Sequence, residues 1–199
     1  MVKVKICGLT RMRDIEAVNE YKPDYIGFVF AENSRRKITP QQAVELRKRL
    51  RPNIIPVGVF VDETLEDIVA LAQDGAIDII QLHGSQDEGY IQKLKILTGK
   101  PIIKAVVAQN KDEIKRWMKS AVDYLLLDNM NGGSGQTFNW DIIGQMDKSY
   151  FLAGGLCPEN IAEAISRTKP FAVDVSSGVE TDGLKDPAKI KEFIRRVRE

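Results

Sequence analysis

Two proton-handling side chains in this chain close apolar runs. Cys7 ends VKVKIC (residues 2–7), and Asp128 ends YLLLD (residues 124–128). A thiolate kept company by cations or helix N-termini can act as a base. A carboxyl group drawn partly out of water has its pKa raised and can serve as a general acid. Each residue also has a plainer reading: a free cysteine is by default a buried structural thiol, and an aspartate after four apolar residues can cap the loop that follows. The residues alone leave both questions open.

Three glycine-rich stretches add a third element of chemistry. They are Asn131-Gly132-Gly133-Ser134-Gly135, Gly154-Gly155-Leu156, and Val175-Ser176-Ser177-Gly178-Val179-Glu180. Glycine lets the backbone approach a ligand and point its N–H groups inward, which makes a nest for an anion. A short helix starting after such a loop adds the positive end of its dipole. One such run is an ordinary tight turn; three in succession favour a phosphate. The chain has two cysteines, Cys7 and Cys157, and one histidine, His83, at spacings that suit neither a zinc site nor a disulfide framework. No metal is therefore expected.

The elements that must carry these residues alternate regularly. Eight short apolar runs occur at 2–7, 25–30, 54–61, 77–82, 101–106, 124–128, 150–154 and 171–175. Between them lie stretches with apolar positions three and four apart, such as AVELRKRL (43–50), LEDIVALA (65–72) and IKEFIRRV (190–197). Helix starts are expected at Thr39-Pro40, at Thr64 and at Cys157-Pro158-Glu159. The sixth helix is the weakest, because FNWDIIGQM leaves room for about two turns. Alternation of this kind demands parallel strands with right-handed crossovers. Eight units in 199 residues fit a closed α/β architecture, a single (β/α)8 TIM barrel of eight parallel strands with outer helices, spanning 1–199 as one domain.

In such a barrel the loops after the strands build the active site, and those before them serve stability. Asp24, Asp78 and Asp123 precede or begin strands and are assigned to turns and caps. Cys7, Asp62, His83, Asp128, Asp174 and the glycine-rich loops fall on the catalytic face. Alternation along the first strand puts Lys5 on the same side as Cys7, inside the barrel, with Lys104 and Asp174 as its candidate neighbours.

Charge and composition narrow the partners. With 29 basic and 28 acidic residues the net charge is +1, and the basic runs sit in helix-patterned segments, so no nucleic acid is expected. No run of 18 apolar residues occurs, so no membrane span is expected, and MVKVKICGLT lacks the apolar region of a signal peptide. The expected location is cytoplasmic, as a monomer or homodimer.

At these same positions the chain resembles the phosphoribosylanthranilate isomerases of tryptophan biosynthesis. The resemblance is carried by Lys5-Ile6-Cys7-Gly8-Leu9-Thr10, by Gly27-Phe28-Val29-Phe30 with Ser34-Arg35-Arg36, and by Val57-Gly58-Val59-Phe60-Val61. It continues through Gln81-Leu82-His83-Gly84, Leu127-Asp128 with Gly132-Gly133-Ser134-Gly135-Gln136-Thr137-Phe138, Ala153-Gly154-Gly155-Leu156, and Ala172 to Glu180. The resemblance implies a cofactor-free Amadori rearrangement of a small phosphoribosyl substrate. Cys7 would be the general base at C2' of the ribose, and Asp128 the general acid at the furanose oxygen. Arg36 would contact the anthranilate carboxylate, with Arg35 as the rival if the loop shifts by one residue. The phosphate would rest on amides around Gly133, Gly135, Gly154, Gly155, Ser176, Ser177 and Gly178. His83 is expected to pack or hydrogen-bond locally rather than to react.

Departures from the family pattern are the short Asn129-Met130-Asn131 stretch, Asn139 where aspartate is common, and Cys157 where asparagine is common. Two rival readings remain. A histidine-pathway ribosyl isomerase would use aspartate where Cys7 stands and would show a half-barrel repeat, which is not evident between 1–100 and 101–199. A non-catalytic sensor would have no need of both Cys7 and Asp128.

Overall fold

A computed structural model describes residues 1–109, 111–129 and 137–199. The eight apolar runs become β1 (Lys3–Cys7), β2 (Tyr25–Val29), β3 (Ile55–Phe60), β4 (Ile79–Leu82), β5 (Ile102–Val107), β6 (Tyr124–Asp128), β7 (Tyr150–Leu152) and β8 (Ala172–Val175). All pairings are parallel and in sequence order, and β8 pairs back onto β1 to close the barrel. The strands are apolar on both sides because both are buried. Val4, Ile6, Ile80, Leu125, Leu127 and Val173 face the helices, whereas Tyr25, Val57, Ile79, Ile103, Leu126 and Phe151 fill the barrel. Phe151 is fully buried, with its ring at 5.4 Å from Tyr25 and 5.6 Å from Tyr124, edge to face. This apolar plug is the floor beneath the polar upper layer.

The helices are α1 (Met12–Tyr21), α2 (Pro40–Arg49), α3 (Leu65–Gln73), α4 (Glu88–Thr98), α5 (Lys111–Met118), α6 (Ile161–Thr168) and α7 (Pro187–Arg198). Thr39 caps α2 reciprocally with Gln42, and Pro40 opens the helix. Thr64 accepts from the Asp67 N–H at the start of α3. The expected start at Cys157 is displaced: residues 157–160 form a turn and α6 begins at Ile161. The cause is Asn160, whose side chain accepts from Cys157 N–H and donates to the Gly155 carbonyl, tying the turn to the glycine loop. Between β6 and β7, the two expected turns shrink to one 3-10 turn, Trp140–Ile142, capped by Asn139.

The aspartates on the lower face do the work of clamps. Asp24 accepts from Val4 N–H and Asp123 from Ile102 N–H, each bridging to the preceding strand, and Asp78 pairs with Arg47 of α2. After β8 the chain makes a short 3-10 turn, Ser177–Val179, and then a hairpin of β9 (Glu180–Thr181) and β10 (Leu184–Lys185).

Candidate active site

Cys7 ends β1 with 8% of its surface exposed, at the rim of a cavity of about 270 Å³ at the carboxyl ends of the strands. Its register partner on β2 is Gly27, where a Cβ would come within 2.6 Å of the Cys7 Sγ, so glycine there makes room for the sulfur. Two residues earlier on the same face, Lys5 is fully buried, and its Nζ donates to both Asp174 carboxylate oxygens at 3.0 Å. Burial pulls the Lys5 pKa down, but Asp174 and Cys7 more than offset it, and the ammonium is retained. Burial pushes the Cys7 thiol up, while Lys5 beneath it pulls the other way. Lys104, the other candidate neighbour of Lys5, is on the outer face of β5, with its Nζ 5.2 Å from the Trp117 ring. Two ammonium groups could not have paired; the aspartate of the neighbouring strand does.

Asp128 closes β6 and faces the same cavity. Burial raises its pKa, opposed by His83 and by the Asn129 N–H that donates to it at 2.7 Å. His83 Nε2 lies 3.5 Å from the second Asp128 oxygen, and burial lowers the imidazole pKa, which leaves the ring neutral near pH 7. His83, expected to pack or hydrogen-bond locally, has the candidate acid as its neighbour. Behind it the Gln81 Nε2 is 3.4 Å from Nδ1, an arrangement that puts the imidazole proton on the nitrogen facing Asp128. Gln81 is 2% exposed and lines the cavity, yet its Oε1 has no partner among the described residues. Asp62, also assigned to this face, instead holds the Ser85 N–H and hydroxyl and ties two loops outside the cavity.

Gly154, Gly155, Ser176 and Ser177, from the loops after β7 and β8, line the same cavity. Gly154 has φ +84° and Gly155 φ +67°, a conformation that side chains resist. A Cβ on Gly154 would also lie 2.8 Å from Asn129 N and 3.1 Å from an Asp128 oxygen. Among the described residues the N–H groups of Gly154, Gly155 and Ser177 donate to no protein group, as an anion nest requires. Gly178 does not line the cavity; a Cβ there would lie 1.9 Å from the Leu156 carbonyl oxygen, so it lets the loops after β7 and β8 touch. Gly133 and Gly135 lie outside the described residues.

Arg36 lines the cavity with its side chain 14% exposed, whereas Arg35 is 62% exposed and outside it, which favours the first of the two rivals. Its stem crosses Gly8, where a Cβ would come within 2.4 Å of Arg36 Cδ. The guanidinium donates to both oxygens of Glu180, Nε to Oε1 at 2.6 Å and Nη2 to Oε2 at 2.8 Å. Cys157, half-buried, is not among the lining residues. Among the described residues no cluster of three histidine, cysteine, aspartate or glutamate side chains could hold a metal ion.

Sequence reasoning assigned no role to Gln81, Glu180 or Lys185. The clue for the last two was Asp182-Gly183, a strong hairpin signal, which sets Glu180 opposite Lys185.

A family model described as N-(5'phosphoribosyl)anthranilate isomerase matches residues 4–196. A curated relative from Endomicrobium trichonymphae, named N-(5'-phosphoribosyl)anthranilate isomerase, is 47% identical over 100% of this chain and 99% of its own length. Among solved structures, the phosphoribosyl anthranilate isomerase of Thermotoga maritima has a TM-score of 0.91 at 39% identity, covering 100% of this chain and 99% of that one. Another structure, of such an isomerase in complex with reduced 1-(o-carboxyphenylamino)-1-deoxyribulose 5-phosphate, has a TM-score of 0.89 at 37% identity, covering 100% and 99%.

Proposed function

Because this chain belongs to the N-(5'-phosphoribosyl)anthranilate isomerase family, we propose that its cavity holds the phosphoribosyl substrate between Cys7 as general base and Asp128 as general acid. The reaction is the Amadori rearrangement of N-(5'-phosphoribosyl)anthranilate to 1-(2-carboxyphenylamino)-1-deoxyribulose 5-phosphate in tryptophan biosynthesis. The observation that carries the assignment is that one cavity brings together Cys7, Asp128, Arg36 and the two loops at Gly154-Gly155 and Ser176-Ser177.

The protonated Asp128 gives its proton to the furanose oxygen as the C1'–O bond breaks, and the nitrogen lone pair forms the C1' iminium. The Cys7 thiolate then takes the C2' proton, and the C–H electrons neutralise the iminium to an enolamine. Tautomerisation of the enol to the C2' ketone completes an isomerisation in which no atom is gained or lost. Arg36 holds the ring carboxylate. The phosphate rests on N–H groups of the Gly154-Gly155 and Ser176-Ser177 loops, with Gly133 and Gly135 assigned to it from the family resemblance alone. The neutral His83 holds Asp128 in place. No described helix is long and apolar enough to cross a membrane, and the net charge is +1. We place the enzyme in the cytoplasm, acting on a small molecule and not on nucleic acid, with 1–199 as one barrel.

Turnover is tested by generating the substrate in situ from anthranilate and phosphoribosyl pyrophosphate and following loss of its fluorescence. Cys7→Ser and Asp128→Asn should each be at least about a hundredfold slower than wild type, the size expected of acid and base groups. Full activity in either variant removes that residue from the mechanism.

A further inference from the structure

Arg36 and the phosphate-side loop are joined by a buried chain of charge that the reaction scheme does not use. Glu180 has its side chain 5% exposed and receives Arg36 on both oxygens. The hairpin register sets Lys185 directly across from it, with Nζ at 2.6 Å from Oε1. Lys185, its side chain 2% exposed, also donates to the Ser176 carbonyl at 3.0 Å and hydroxyl at 3.3 Å. The Ser176 hydroxyl in turn donates to the carbonyl of Cys7 at 3.1 Å.

Three physical consequences follow. A bidentate carboxylate fixes the plane of a guanidinium that would otherwise rotate on a long flexible stem. The remaining N–H donors of Arg36 are then directed, and the stem, lying across Gly8, has little room to move. The cluster is also unbalanced: Arg35, Arg36 and Lys185 are all within hydrogen-bonding reach of the single carboxylate of Glu180. A surplus of positive charge beside the cavity favours an anion delivered by the ligand.

We propose that Glu180 is a positioning and specificity residue: it aims Arg36 at the substrate's ring carboxylate and, through Lys185 and Ser176, sets that contact at a fixed distance from the phosphate loop. The enzyme then selects ligands that carry an aromatic carboxylate and a sugar phosphate at the correct separation. This rests on the functional reading above.

The test is calorimetric binding of two probes, reduced 1-(2-carboxyphenylamino)-1-deoxyribulose 5-phosphate and the same compound without its ring carboxylate. Wild type should prefer the carboxylated probe by about a hundredfold, the value of a charge-assisted pair of hydrogen bonds. Arg36→Met should abolish the preference. Glu180→Gln should cut it at least about tenfold while affinity for the decarboxylated probe changes by less than about threefold. Adding Glu180→Gln to Arg36→Met should reduce the preference no further, as expected when one residue acts through the other. Should Glu180→Gln fold poorly with Lys185 left unpaired, Glu180→Gln combined with Lys185→Met keeps the charge balance and carries the same expectation. An undiminished preference in these variants, or an equal loss of both probes, overturns the proposal and leaves Glu180 structural. Wild type that binds neither probe overturns the functional reading itself, and this proposal with it.

Discussion

In the proposed mechanism burial shifts Cys7 and Asp128 in the same direction, which suits the acid and opposes the base. Burial raises both, which favours the carboxylic acid that the reaction uses but disfavours the thiolate, so the thiol must lose its proton before it can act. The productive form, thiolate with carboxylic acid, rises tenfold per pH unit below the Asp128 pKa as the thiol ionises. Between the two values the gain in thiolate and the loss of carboxylic acid cancel. Above the Cys7 pKa the acid is titrated away and the rate falls. The expected kcat/KM profile is therefore flat-topped, with its lower limb above the ordinary carboxylate value of about 4 and its upper limb above the ordinary thiol value of about 8.5. In Asp128→Asn the upper limb should vanish, leaving whatever residual rate persists at high pH; an upper limb that survives assigns it to another group.

At the scale of elements, the β9–β10 hairpin is what brings Glu180 and Lys185 to the site. Its turn places Asp182 at φ +53° and Gly183 at φ +78°. A side chain at Gly183 meets no steric obstacle nearer than Arg35 Nη1 at 4.0 Å, so the penalty there is conformational. Gly183→Ala should cost about 1 kcal/mol, as expected for a left-handed residue acquiring a Cβ. Denaturant unfolding would measure it, and a variant as stable as wild type would mean the turn relaxes to another type. The sequence alternation disclosed each barrel strand because both faces of each are buried. The hairpin escaped it, since its two-residue strands carry no periodicity, although Asp182-Gly183 was there to read.

Across the whole molecule, the Lys5–Asp174 pair spans the seam where β8 meets β1 and the barrel closes. Both groups lie in the interior, so removing one leaves the other charged without a partner. Asp174→Asn should destabilise the fold by about 3–5 kcal/mol, whereas Lys5→Met with Asp174→Leu should come much closer to wild type. Urea unfolding of the three proteins distinguishes this from a pair that matters only for catalysis, for which all three curves would coincide.

The order and parallel direction of eight strands, the end of the barrel that carries the candidate site and the candidacy of Cys7, Asp128 and the glycine loops were determined by the sequence alone, with Arg36 added by the family resemblance. These depend on local pattern, on the fixed hand of the crossovers and on motifs that lie within a few residues of one another. Tertiary structure decided the rest. It chose Asp174 over Lys104 beside Lys5, put His83 against Asp128, and separated Arg36 from Arg35. It also joined Arg36 to Glu180, 144 residues away, through one hairpin register. Partnerships of this kind turn on distances of a few tenths of an ångström and on how much water each group has lost. Neither quantity exists until the barrel has closed around them.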